Sequence, residues 1–173
     1  MLNLGSFTKS GALNWAGIKF YTGDFKPKHV LAPWDLVIAN TDLTQVRDFV
    51  GRGVIVPPAL EGALHTHHTS KVVFDLQPEL AMPLWAQLQS PAFRARAKGY
   101  ATGTTVASLP SEAILDFEIT VPDDLGAALT DAKCLVEASW QKHQEAQRLA
   151  ALRDALLPEL LSGRIRVPVD EAA

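Results

Sequence analysis

Four residues in the middle of the chain, Thr102-Gly103-Thr104-Thr105, place three hydroxyls around one glycine just after a basic stretch holding Arg94, Arg96 and Lys98. Hydroxyls donate to phosphate oxygens, glycine lets backbone amides approach an anion, and the cations add attraction at range. The chemistry of such a set is recognition of a polyanionic backbone, with no bond made or broken. The same residues also suit a tight turn whose hydroxyls satisfy their own backbone, beside a solvated basic helix face. Asn40-Thr41-Asp42 is a second polar cluster, with Arg47 and Arg52 nearby. It fits either a polar edge facing a groove or an Asx-type turn leading into a helix. Lys19, Lys26 and Lys28 are further cations of the same kind.

Catalytic chemistry finds little support. His65, His67 and His68 invite a metal, and in a strand His65 and His67 would share a face. No cysteine and no clear carboxylate supplies the third or fourth ligand such a site needs, so a hydrophilic strand entry is the simpler reading. The chain has no HExxH, no Gly-x-Ser-x-Gly, no phosphate-binding loop ending in Gly-Lys-Ser/Thr, and no Gly-x-Gly-x-x-Gly at a strand–helix junction. The expectation is a non-catalytic chain with no cofactor and no metal.

The elements that must position these clusters follow from apolar spacing and turn residues. Leu13–Tyr21 is β-prone, Asp35–Asn40 is a short apolar strand after Pro33, and a further strand follows Gly51-Arg52-Gly53. Leu64–Leu76 predicts another, strongest over Lys71–Asp75. Pro78 opens a helix with Leu80, Leu84 and Leu88, whose first turn Pro83 should disturb. Ser90-Pro91 has the form of an N-cap with proline in the first helical position, predicting a helix through AFRARAK to Gly99. One more helical turn begins at Ser108 or Ser111, before a final strand over Phe117–Val121.

The C-terminal third is helical. Asp123 or Asp124, after Pro122, suits the helix start, because a carboxylate accepts from the free amides there. Leu149, Leu152, Leu156, Leu157, Leu160 and Leu161 recur at intervals of three and four, which gathers them on one side. Each leucine is worth roughly 1.5–3 kcal/mol when buried, so the stripe requires a cover, either its own domain or a partner helix. Pro158 predicts a bend or break, and Gly163 suits the left-handed residue that ends helices.

Composition describes an ordinary soluble protein of 173 residues with 47% apolar and 20% charged side chains. Its net charge of −3 divides unevenly. Residues 1–108 hold ten Lys+Arg against seven Asp+Glu, and residues 109–173 hold six against twelve. A mildly basic front thus precedes an acidic tail. No apolar run is long enough for a membrane span, the first residues lack a signal-peptide pattern, and the single Cys134 excludes an internal disulfide; a cytoplasmic location is expected.

Three segments in order resemble the specificity subunits of type I restriction–modification systems: DLVIANTDLTQVRDFVG (35–51), LWAQLQSPAFRARAKGYATGTTVASLPSEAILDFEITVP (84–122) and LAALRDALLPELLSGRIRV (149–167). Together they span most of residues 13–167. Trp34-Asp35 departs from the family's common Gly-Asp turn, and the part before Leu13 is short for the family. The resemblance implies an α+β fold. A small strand-rich, N-terminally shortened target-recognition domain (1–122) would precede a long coiled-coil-like spacer helix (123–173), broken near Pro158. It implies sequence-specific binding of double-stranded DNA by a half-length subunit that catalyses nothing. The DNA-contacting residues would be Asn40, Thr41, Arg47, Arg94, Arg96, Lys98, Thr102, Gly103, Thr104 and Thr105. Leu149, Leu152, Leu156, Leu157 and Leu160 would form a homodimer seam, and the helices would also dock a methyltransferase subunit and, through it, a restriction subunit. The alternative is a truncated regulatory module that binds methyltransferase or specificity subunits through its helix without touching DNA.

Overall fold

Leu36–Ala39 (β1) carries no polar side chain and is buried at all four positions, as a strand covered on both faces must be. The computed structural model describes residues 1–44 and 46–166, and in it β1 is the centre of a three-stranded antiparallel sheet. Gly53–Ile55 (β3) pairs on one side with Leu36 opposite Ile55, and Thr69–Val72 (β4) on the other with Leu36 opposite Val72. Thr41–Asp42 (β2) leaves this sheet to pair with Ala107–Ser108 (β5).

Alternation along β1 divides the core. Val37 and Ala39 join Leu2, Phe7, Leu31, Val54 and Val56 in one cluster. The opposite face is covered by helix α1 (Ala81–Leu88), which packs on β3 and β1. A side chain at Gly53 would meet Leu88 and Leu36 at about 3 Å, so the strand lies close under the helix. Pro83 sits within the first turn of α1, where amides have no intrahelical acceptor, and the helix tolerates it there.

Helix α2 (Pro91–Tyr100) starts as its sequence predicts: the Ser90 hydroxyl accepts from the Phe93 amide at 3.2 Å, and proline occupies the first position. A single turn, α3 (Glu112–Leu115), follows β5. Helix α4 (Leu125–Leu161) begins where the Asp124 carboxylate accepts from the Ala127 amide at 2.9 Å. It continues through Pro158 and ends within one turn of it, at Leu161, with Gly163 at φ +73°. The proline removes only the bond to the Asp154 carbonyl, which solvent can satisfy on so exposed a helix. The chain forms an α+β fold of two compact units, Met1–Thr130 and Asp131–Ala173. Val167, the last residue of the leucine-rich run, lies outside the described residues.

Two expected strands are absent, and β4 begins earlier than its strongest sequence signal. Leu13–Tyr21 contains only a single 3-10 turn at Trp15–Gly17, and Leu13 bridges Phe7. Phe117–Val121 has no regular secondary structure and pairs with no strand among the described residues. Its Thr120 instead bonds the Gln87 carboxamide, donating from its amide at 2.8 Å and accepting at its carbonyl at 2.6 Å. The glutamine thus supplies the donor and acceptor that a neighbouring strand would have offered.

Candidate nucleic-acid interface

The Thr-Gly-Thr-Thr segment is the tip of a small loop closed by its own backbone. Thr102 and Ser108 exchange amide–carbonyl bonds of 3.0 and 2.7 Å, and β5 then ties the loop to β2. Gly103 has φ +106°, and a Cβ there would lie 2.2 Å from the Val106 carbonyl oxygen, so only glycine fits. Residues 102–106 are exposed. With Thr44, Arg47 and Ala107, this loop lines a polar depression of about 260 Å³. Arg47 and the loop, 56 positions apart in sequence, are thus brought together.

Asp42 is the support beneath that depression. Only 2% exposed, its carboxylate accepts from the amides of Thr44 (2.7 Å), Phe49 (2.5 Å) and Val50 (3.2 Å). Charge-assisted bonds of this kind are worth about 1.5–3 kcal/mol each, enough to fix the backbone at Thr44, Phe49 and Val50 relative to Asp42. The Asp42-to-Thr44 bond is an Asx turn, and residues 46–50 are not helical. Asn40 and Thr41 also have partners within the fold: Asn40 Nδ2 donates to the exposed Ser70 Oγ at 2.6 Å, and Thr41 Oγ1 lies 3.1 Å from His68 Nδ1.

The arginines depart most from expectation. Arg94 donates to the carbonyls of Val50 (2.7 Å), Asp48 (3.1 Å) and Arg47 (3.3 Å), so its guanidinium braces the 47–50 turn instead of presenting a cation to solvent. Burial, with the neighbouring Arg52 charge, lowers its pKa to about 10. Arg47 itself, at φ +54°, donates to the carbonyls of Ala101 (2.6 Å), Lys98 (3.1 Å) and Gly103 (3.3 Å), capping α2 and fastening the loop. Arg96 donates to the carbonyls of Ala113 and Glu112 and stacks over Tyr100 at 4.6 Å. Arg52 bonds the Asp48 carbonyl and Gln89.

Asp48 receives both Lys98 (3.2 Å) and Lys9 (2.9 Å), and the bond from Lys9, then that from Lys98, holds its carboxyl below the ordinary value. The reason for this commitment is local. Among the described residues the carbonyls of Arg47, Asp48 and Val50 accept from no strand or helix amide, and guanidinium forks are the groups within reach. Sequence reading found the Asx turn but missed Thr44, Lys9 and Tyr100. Thr44, two residues beyond Asp42, was the one of these with a local signal.

The histidines sit elsewhere. His65 Nδ1 lies 3.1 and 3.2 Å from the Thr69 and Thr66 carbonyls, so that nitrogen carries the proton, and its ring meets His29 edge to face at 5.3 Å. His67 and His68 form a turn with ring centroids 3.9 Å apart, which removes the shared strand face. Among the described residues no group of three or more His, Cys, Asp or Glu side chains could hold a metal ion, and no helix is long and apolar enough to cross a membrane.

On α4 the candidate partner residues are all exposed: Leu149 58%, Leu152 52%, Leu156 38%, Leu157 49% and Leu160 38%. Sequence comparison adds no assignment, since no family model and no curated protein matches the chain.

Proposed function

We propose that this chain is a non-catalytic DNA-recognition subunit of the type I restriction–modification kind, with one target-recognition domain and one helix that pairs with another polypeptide. The observation that carries the proposal is the leucine stripe of α4, with five leucines between 149 and 160 open to solvent along about 17 Å of helix at 1.5 Å per residue. At roughly 1.5–3 kcal/mol per leucine, such a stripe is maintained for a partner. The occupant we assign is the same helix of a second copy. One recognition domain per chain then becomes two per assembly, suited to a split, symmetric target. Docking of a methyltransferase subunit, and through it a restriction subunit, belongs to the same proposal, as does a cytoplasmic location.

In the front unit, the exposed hydroxyls of Thr104 and Thr105, which line the 260 Å³ depression, and of Thr102 beside them are the groups free to reach DNA phosphates. Arg47 and Arg94 act as braces of that surface, Arg96 ties α2 to α3, and Lys98 is shared with Asp48.

The experiment is a salt titration of duplex binding by the full chain, run beside sedimentation. The proposal expects a dimer and an affinity that falls with salt at a log–log slope of about −0.9 for each phosphate engaged. The commitment of the arginines favours one second reading, a regulatory module that binds methyltransferase or specificity subunits through α4 and never touches DNA. Under that reading partner binding is nearly indifferent to salt, and duplex binding is absent.

A further inference from the structure

Seven of the ten cations in residues 1–108 are engaged within the fold: Lys9 and Lys98 on Asp48, Lys71 on Asp35, and the four arginines on backbone carbonyls. The other three, Lys19, Lys26 and Lys28, have no side-chain partner among the described residues, and they fall within ten positions of one another. Between them stand Phe20, 101% exposed, Phe25, 58%, and Tyr21, 49%. Every residue from 19 to 28 is exposed.

The segment is held at both ends. Lys19 pairs through its backbone with Met1 (Lys19 N to Met1 O 3.1 Å), while Pro27–His29 forms a 3-10 turn and Val30 bridges Leu64. Within it, the Tyr21 hydroxyl donates to the Asp24 carbonyl at 3.0 Å and closes the bend. The only acid present is Asp24, so the loop carries a local charge of +2. That excess is felt next door, where burial first, then His65, Lys28 and Lys26, push His29 below its ordinary value.

We infer that the 19–28 loop is a duplex-DNA contact, with Lys19, Lys26 and Lys28 on phosphates and Phe20 and Phe25 against the sugars and base edges of the groove between them. The inference rests on the DNA-recognition reading and assigns its electrostatic part. A patch of apolar rings ringed by lysines and almost without acids is complementary to a polyanion with an apolar groove wall. The rings alone would suit a protein partner, whereas three lysines without a side-chain partner beside them, with a single acid, suit a polyanion.

The test compares three full-length proteins on a labelled mixed-sequence duplex across a salt series: the unaltered chain, K19A/K26A/K28A, and F20A/F25A. The lysine variant is expected to bind about tenfold or more weaker and to flatten the log–log slope by about 2 to 3, at 0.9 per phosphate. The phenylalanine variant should weaken binding with its slope unchanged. Exposed positions tolerate such changes within about 0.5 kcal/mol, and matching urea midpoints would establish that all three remain folded. If the unaltered chain binds with a salt slope and the lysine variant matches it, this inference is overturned while the functional reading stands, and the loop is left to a protein partner. If the unaltered chain shows no salt-dependent binding, the functional reading falls and takes the inference with it.

Discussion

The Arg94 guanidinium donates from Nη1 to the Val50 carbonyl at 2.7 Å, across 44 positions of sequence. That bond, with its companions to Asp48 and Arg47, converts a cation of a basic helix into the brace of an irregular turn. Arg94→Ala is therefore expected to destabilise the fold by about 2–3 kcal/mol, since charge-assisted bonds are lost and carbonyls are left unmade. Its duplex salt slope should match that of the unaltered chain. Urea unfolding reads the first effect and the salt titration the second; a variant of unchanged stability with a flattened slope would return Arg94 to the DNA surface.

Trp34 occupies the left-handed region, at φ +71°, where the resemblance anticipates glycine. In ordinary backbone a glycine is less stable than an alanine, but here the order should reverse. Trp34→Gly is expected to be more stable than Trp34→Ala by about 1 kcal/mol, because a Cβ in this conformation crowds the backbone. Both lose the indole, so the difference between their midpoints isolates the backbone term.

Asp48 is held below its ordinary value of 3.8, first by the hydrogen bond from Lys9 and then by Lys98. An acid whose folded pKa is depressed adds stability above its unfolded pKa, and that stability is lost as pH falls through the folded one. Melting temperature should thus decline below about pH 4, and part of this decline should vanish in Asp48→Asn, which is already weaker at neutral pH. A variant with an identical acid limb would remove Asp48 from the account.

Leu152 and Leu156 lie at the centre of the exposed stripe. The paired variant Leu152→Glu/Leu156→Glu is expected to sediment as a monomer at concentrations where the unaltered chain is a dimer, while its secondary structure persists. Burying two carboxylates in an apolar seam costs far more than the seam gains from the remaining leucines. A stable monomer of the unaltered chain at micromolar concentration would remove the dimer from the proposal.

Local chemistry made much of this fold legible in advance. The apolar run Leu36–Ala39, the Ser90-Pro91 start of α2, the Asp124 cap and the Gly163 end of α4 each depend on residues within a turn of one another, so the sequence alone could place them. The same holds for the exposed Gly-Thr-Thr loop, whose glycine is demanded by its own neighbour Val106. Tertiary structure decided which cations remain available. Arginine side chains reach carbonyls 44 to 56 positions away, and no spacing rule reveals that the carbonyls of Arg47, Asp48 and Val50 lack a backbone amide until Asp42, α2 and the turn are seen together. A charge count sees ten equivalent cations in the front of the chain; the fold separates seven that it engages from three that it does not, because carbonyls without a backbone amide draw the four guanidiniums and the Asp35 and Asp48 carboxylates draw three lysines.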